Sequence, residues 1–318
     1  MEQVVKLKVN QWRPYLEGER HVATEARRLF SAYEQARAAA LAVPGWMYWK
    51  RYSNDREYLV RAYDRTGRGT TLGSRSEVTE SQLLQFKSRQ LEAKLQLKLA
   101  RDNLKLHARF AKAARLNRVP RAIAAVLRAV AEVPGTSAAV ISAHAFFAYE
   151  SLADVVLEPW LVESASLELL VAPPNADNDA PDYLAILRSA DPTYRLVGDG
   201  RDEFVNEIGF IVRISHAHEV SRTDGTSLSA LGLDELWASS LSQVVIDQDG
   251  MPLEMRVPEP RLYSRWKQAQ ATRLASAGDE RSLDQASAIQ ALFASAAPVV
   301  QLPIEGIQGA SATGTAAQ

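Results

Sequence analysis

A chain of 318 residues with near-average apolar content is long enough for two domains with proper cores, and its formal net charge of −1 excludes a protein held to nucleic acid by overall electrostatics. No cysteine is present, which excludes disulfides, thiolate metal sites and cysteine catalysis. The opening Met1-Glu-Gln-Val-Val-Lys-Leu-Lys8 lacks the apolar core of a signal peptide, and no apolar run reaches the ~18–20 residues of a membrane helix, so a cytoplasmic protein with no membrane partner is expected.

Residues 1–18 carry no clear pattern. An alanine-rich helix is predicted from about Glu19 to Ala42, ended by Pro44-Gly45. Two aromatic runs, Trp46–Tyr52 and Tyr58–Tyr63, flank the turn residues Ser53-Asn-Asp55 and predict a hairpin. Its Trp46, Trp49, Tyr52, Tyr58 and Tyr63 read as a small core, and Gly67–Gly73 reads as a loop. Thr79-Glu-Ser-Gln82 has capping-box spacing and opens a helix running to about Leu116. Leu83, Leu84, Leu91, Leu95, Leu97, Leu99, Leu104 and Leu106 give that helix an apolar stripe. Its Lys and Arg residues recur at near-helical spacing. Twelve bases stand against two acids from Ser81 to Arg128, whereas Glu150–Glu259 holds twenty-one acids and six arginines. Such a basic face is a phosphate-binding platform, a solvated surface or a surface that docks onto the acidic half, and Phe86 and Phe110 alone are too few for a stacking platform.

Arg118-Val-Pro120 breaks the chain, and Pro120 suits the first turn of a helix reaching about Val133. A strand Ala138–Ile141, a helix Ala143–Ser151, a strand Leu167–Ala172 and a helix Pro181–Ser189 follow. Strands are expected near Tyr194–Val197, Phe204–Asn206 and Phe210–Ile214, then Gln243–Asp247 and Glu254–Val257 around the turn Asp249-Gly250. Two helices close the pattern, near Arg261–Ser276 and Ser282–Ser295, and Gly306–Gln318 reads as disordered. The order fits an α+β fold, a small mixed sheet backed by helices. The expected divisions are a helical arm with a hairpin (1–118), a core (119–258), a C-terminal helical region (259–300) and a disordered tail (301–318).

On the strand after the Ala145-Phe-Phe-Ala-Tyr-Glu150 helix, Ser164-Ala-Ser-Leu-Glu-Leu-Leu170, side chains alternate. Ser166 and Glu168 therefore share one face, while Leu167 and Leu169 take the other. These runs, with Asp182-Tyr-Leu-Ala-Ile-Leu-Arg188, Asn206-Glu-Ile-Gly-Phe-Ile-Val212, Val257-Pro-Glu-Pro-Arg261, Tyr58-Leu-Val-Arg61, Leu72-Gly-Ser-Arg-Ser76 and Arg118-Val-Pro120, resemble a family of bacterial nucleotidyltransferase-fold proteins. That family lies within the DNA-polymerase-β-like superfamily, and the resemblance runs from about residue 45 to 295. It implies a polymerase-β-like nucleotidyltransferase core flanked by N- and C-terminal helical regions. It further implies nucleotidyl transfer from a nucleoside triphosphate to an acceptor, an unidentified protein or RNA, with Mg²⁺ as cofactor in an active member.

The implied residues depart from the family pattern. Where two aspartates are expected to bind metal and triphosphate, the chain has Ser166 and Glu168, which leaves Glu168 as the one implied metal ligand of the pair. The third carboxylate falls on Arg213. The Gly-Thr or Gly-Ser turn that approaches the phosphates falls on Ser142 and Ala143. A C-terminal Arg-Asp falls on Arg281-Ser282, and Lys267 matches a family lysine facing phosphate. Two-metal transfer needs hard anionic oxygens around ions about 3.5–4 Å apart, and Mg²⁺ prefers carboxylates to a hydroxyl. The departures therefore point to transfer weakened or lost, with nucleotide or partner binding retained. An active transferase with relocated carboxylates, drawn from Glu163, Asp202, Glu203 and Glu207, stands as an alternative. So does a nucleic-acid-binding protein using the basic helix 81–116, and a scaffold moved to unrelated chemistry. His216-Ala-His218 has zinc-like alternation on a strand, but no third ligand is marked and both read as structural or surface residues. His144, beside the altered turn, either touches nucleotide or packs.

Overall fold

Apolar runs in the central part of the chain build a seven-stranded mixed sheet. The computed structural model describes residues 11–52, 56–63, 69–172, 181–197, 202–217, 232–273 and 280–294. The expected tail at 301–318 and His218 lie outside the described residues. In chain order the elements are β1 (Trp12–Pro14), α1 (Glu17–Leu41), β2 (Trp46–Arg51), β3 (Glu57–Ala62), β4 (Gly69–Ser74), α2 (Glu77–Ala113) and α3 (Arg121–Glu132). Then come β5 (Ala138–Val140), a 3-10 turn (Ala143–Ala145), α4 (Phe146–Ala153), β6 (Val155–Leu157), α5 (Pro159–Val162), β7 (Ser166–Val171), α6 (Tyr183–Ala190), β8 (Arg195–Leu196) and β9 (Glu203–Val205). The last are β10 (Ile211–His216), α7 (Leu233–Ala238), β11 (Leu241–Ile246), β12 (Pro252–Val257), α8 (Pro260–Arg273) and α9 (Glu280–Leu292).

The fold is α+β, and the contacts group it into two units: Ser31–Asn103, and the described residues up to Phe30 with those from Leu104 onward. In the larger unit the sheet order is β11-β12-β5-β7-β10-β9-β8. β7 pairs parallel to β10 and antiparallel to β5. β9 runs antiparallel along the other side of β10. The central β7 is buried on its Leu167, Leu169, Leu170 and Val171 side chains, as a strand covered by helices on both faces requires. Phe146, Tyr149 and Tyr263 are fully buried and pack ring to ring. The β11–β12 turn closes at Gly250, whose φ of +81° suits glycine. A Cβ there would lie 2.3 Å from the Ala108 carbonyl oxygen.

The Arg118 and Ala-Tyr-Glu150 motifs, far apart in sequence, meet. Arg118 donates to both Glu150 carboxylate oxygens at 3.2 and 2.7 Å and to the Leu157 carbonyl at 2.8 Å. The Leu157 amide donates back to Glu150 at 2.8 Å. Burial pushes the Glu150 carboxyl up to about 7, and the Arg118 charge and the Leu157 amide offset that only in part. The Asn206–Gly209 stretch is a turn joining β9 to β10: the Asn206 side chain bonds the Phe210 amide and Asp191, and Gly209 takes φ +82°.

The smaller unit corrects the hairpin. Gly69–Ser74, read as part of a loop, is a third strand that pairs with β3, because the threonine-rich run has strand propensity that the neighbouring glycines masked. The aromatic core is corrected too. The buried residues of β3 are Leu59, Val60 and Ala62, while Trp46, Tyr52 and Tyr63 are exposed. The helix cap also differs. α2 starts two residues before Thr79, and Thr79 Oγ1 instead accepts from the Ser76 amide at 2.9 Å while Ser76 Oγ takes the Thr79 amide at 3.3 Å. The reciprocal pair satisfies first-turn donors as a capping box does, one turn earlier than the sequence spacing predicts. Strand β1, β6 and the short helices α5 and α7 have no counterpart in the sequence reading. Each is too short to show periodicity.

Candidate functional site

Strand register sets the site. Arg213 on β10 lies directly opposite Glu168 on β7 and, on its other side, opposite Glu203 on β9. Ser166 lies two residues from Glu168 on the same face of β7, so the serine, the two glutamates and the arginine form one polar row across three neighbouring strands. The arginine fills its centre. Its Nε donates to Glu203 at 2.9 Å and its Nη1 to Ser166 Oγ at 3.2 Å, and Nη1 stands 3.7 Å from Glu168. The hydrogen bond to Glu203 is the largest influence and, with the charges of both glutamates, holds the guanidinium above its ordinary basicity in spite of burial. A guanidinium is charged at every accessible pH, so this is a permanent side-chain cation between carboxylates.

Beside the row, β5 ends in the turn carrying Ser142 and Ala143. The Ile141 amide donates to the Glu168 carbonyl at 2.9 Å, which fixes the turn next to β7. The Tyr263 hydroxyl, on α8, is shared between the Ile141 and Ser142 carbonyls at 2.9 and 2.8 Å. Burial, with the nearby Glu168 charge, holds that phenol well above its usual range. Ser142, Ala143 and His144 are all buried, and Ser142 Oγ lies 3.2 Å from His144 Nδ1. Lys267 is buried as well, its Nζ 5.8 Å from the Tyr263 ring centre and 6.0 Å from that of Trp266.

Next to this turn a cleft of about 460 Å³ opens between His144, Phe147, Val162, Glu163, Ala165 and Arg281. Arg281 clasps its wall, donating to the Trp160 carbonyl at 2.7 Å and to the Glu163 carbonyl. His144 stacks on Phe147 at 6.2 Å, and burial lowers its pKa to about 4. The ring is therefore neutral at pH 7. Below pH 6.5 the unfolded chain takes up a proton that the folded ring refuses, so stability present above pH 6.5 is lost as pH falls through 4. That loss amounts to about 3 kcal/mol. Urea unfolding at pH 7 and pH 4.5 should show a larger drop for the native chain than for His144→Leu, whose stability lacks this component. Equal drops would show that the ring is solvated.

A family model described as nucleotidyltransferase matches residues 121–301. The chain belongs to that family. No curated protein and no solved structure matches it. The match covers β5, β7, β10 and both C-terminal helices, and so takes in every sequence-predicted site residue: Ser142, Ala143, Ser166, Glu168, Arg213 and Lys267. The structure gathers Ser166, Glu168 and Arg213 into one row, and it puts Ser142 and Ala143 at the turn beside them. Lys267 sits on the helix that covers the turn. Glu203 completes the row. Among the relocated-acid candidates, Asp202 instead lies 3.6 Å from His216, Glu163 is at the cleft mouth and Glu207 is in the β9–β10 turn. Tyr263 was not among the sequence candidates, since a lone tyrosine on an amphipathic helix carries no signal of its fold-level partners.

The resemblance implies a divalent metal, and the residues at the implied positions do not fit one. At the implied pair Ser166 offers a hydroxyl beside Glu168, and at the implied third position Arg213 is a cation hydrogen-bonded to Glu203 and 3.7 Å from Glu168. Among the described residues, no three His, Asp or Glu side chains converge as a metal group. No helix among the described residues is long and apolar enough to cross a membrane.

Proposed function

We propose that metal-dependent nucleotidyl transfer is weakened or lost in this member of the family, and that the protein acts by binding, with a nucleotide taken up without a divalent ion. The observation that carries this reading is the Arg213 guanidinium bonded to Glu203 and Ser166 and facing Glu168. Its charge opposes a metal ion at the same place by several kcal/mol at close range and moderate dielectric. The two glutamates outweigh the one arginine, so the row itself offers a triphosphate no net attraction. The adjacent cleft is the better candidate for the ligand. Phe147 and Val162 supply apolar walls, neutral His144 a hydrogen-bonding edge and Arg281 a cation, the mixture of mostly apolar surface with a few placed polar groups typical of small-molecule sites.

Calorimetric titration of each nucleoside triphosphate, with and without Mg²⁺ or Mn²⁺, tests the reading. Binding whose affinity is the same with and without metal, and unchanged by Glu168→Ala, is the expected result. Metal-dependent binding abolished by Glu168→Ala would overturn it. No binding at millimolar nucleotide would remove the nucleotide and leave a protein partner as the ligand. One observation favours a second reading. Glu203 stands across Arg213 from Glu168, so withdrawal of the arginine would leave two carboxylates from different strands facing one space, as an active transferase with relocated ligands and a protein or RNA acceptor would use Mg²⁺. The same titration separates the two readings.

A further inference from the structure

Helix α2 has two apolar faces, and within the smaller unit only one of them is used. On the inner face Leu83 and Phe86 are buried, Arg61 lies over the Phe86 ring and the Gln90 side chain donates to the Gly45 carbonyl at 2.9 Å. On the opposite face Leu84, Leu91, Leu95 and Leu99 are 68%, 60%, 57% and 58% exposed. Steps of seven, four and four residues keep these four side chains in one stripe, because residues three, four and seven apart share a helix face. The sequence treats the leucines of α2 as one stripe; the structure splits them. Four leucines in a row leave roughly 400 Å² of apolar surface in water, at the size where an exposed patch on a soluble protein marks an interaction site.

The edges of the stripe differ in charge. Lys87, Lys94, Lys98 and Arg101 run along one edge, whereas Gln85, Glu92 and Gln96 run along the other. From Ser81 to Asn103 the helix carries five bases and two acids. We infer that this face docks an amphipathic helix of another protein, one with an apolar stripe and an acidic edge. A straight row spanning about 22 Å, at 1.5 Å per residue, has the shape of a helix seam. Unlike edges beside an apolar seam are the pattern that selects a partner helix by charge. A second copy of this chain is disfavoured, since both helices would carry the same excess of positive charge and an antiparallel pairing would put lysine rows together. An anionic membrane would meet Glu92 and the glutamines as well as the lysines, and phosphate backbones have no use for the leucines.

The test uses the full chain and two synthetic amphipathic helical peptides that share a leucine stripe and differ only in bearing glutamate or lysine along one edge. In fluorescence anisotropy the glutamate peptide should bind at least about tenfold more tightly than the lysine peptide. The double variant Leu91→Gln/Leu95→Gln should lose that binding while keeping its circular dichroism, and Lys94→Glu/Lys98→Glu should reverse the peptide preference. Equal affinities, or no binding by either peptide at ~100 µM, overturn the proposal. So does a dimer in light scattering that the leucine variant dissociates, or leucine-dependent pelleting with phosphatidylserine vesicles. RNA retention abolished by the lysine variant, with no preference between the peptides, points to the nucleic-acid platform instead.

Discussion

Arg213→Asp is expected to turn the polar row into a divalent-cation site. The substitution removes the only cation in the row and places a third carboxylate in register between Glu168 and Glu203, on strands about 4.8 Å apart. Replacing a positive by a negative charge at contact distance, at the moderate dielectric of a partly exposed site, is worth a few kcal/mol toward a metal ion, so Mn²⁺ affinity should rise by about 10²-fold. Without metal the variant should be less stable than the native chain by about 1 kcal/mol, since the partners lost are partly exposed and the new neighbours repel. Millimolar Mn²⁺ should restore its melting temperature by mass action. The native chain under the same conditions should show no metal-dependent shift. If Arg213→Asp and the native chain respond alike to Mn²⁺, the arginine does not stand in a metal's place.

The larger effect on stability is expected at Arg118. Arg118→Ala removes three hydrogen bonds at once, two of them to Glu150, and leaves a buried carboxyl with only the Leu157 amide. Breaking a buried pair by deleting one partner costs about 3–5 kcal/mol. The void beside it, about 20 Å³ and lined by Tyr15, Arg118, Phe147 and Glu150, has room for about one water, so solvent cannot replace the lost guanidinium without rearrangement. The cost depends on pH with a definite sign. Glu150 already has a folded pKa of about 7, above its unfolded value of 4.5, because of burial. A group raised in this way favours the fold below its unfolded pKa and loses that contribution as pH rises through the folded one. Removing Arg118 raises the folded value further. Urea unfolding should therefore show a deficit for Arg118→Ala that widens from pH 5 to pH 8, and Arg118→Ala/Glu150→Gln should narrow it at pH 8. A deficit independent of pH would show that Glu150 stays protonated throughout.

The sequence makes the core readable where apolar periodicity is strong. Strand alternation in Ser164–Leu170 places Ser166 and Glu168 on one face, and both side chains do meet Arg213. The central helices and strands fall within a few residues of their expected limits, and the helix limits of α1 and α3 fall where proline, glycine and alanine-rich runs mark them. What the sequence hides is pairing. Nothing along the chain says that Arg213 and Glu203 would lie side by side, because the contact arises from an antiparallel register across a turn fixed by Asn206 and Gly209. Nothing says that Arg118 and Glu150 would bond, 32 residues apart. The stripe on α2 fails for another reason. Two apolar faces on one helix superpose in a list of leucines, and only packing on one side separates the buried set from the exposed one. Strand β4 fails because glycine signals a loop locally, while the pairing with β3 that overrides it is tertiary.

Residue types also set a limit on the candidate site. Under the proposed reading, a serine, a glutamate and an arginine at the implied positions point to a change of chemistry in the sequence itself, whereas the partners of the arginine are visible only in space: it is hydrogen-bonded to Glu203 and stands 3.7 Å from Glu168.

Electron paramagnetic resonance of the native chain titrated with Mn²⁺ tests this most directly, because free Mn²⁺ gives a signal that binding broadens away. The Arg213 cation predicts no Glu168-dependent site filled below about millimolar Mn²⁺. A submillimolar site present in the native chain and lost in Glu168→Ala would contradict it, and would mean that Arg213 yields its place to a metal ion.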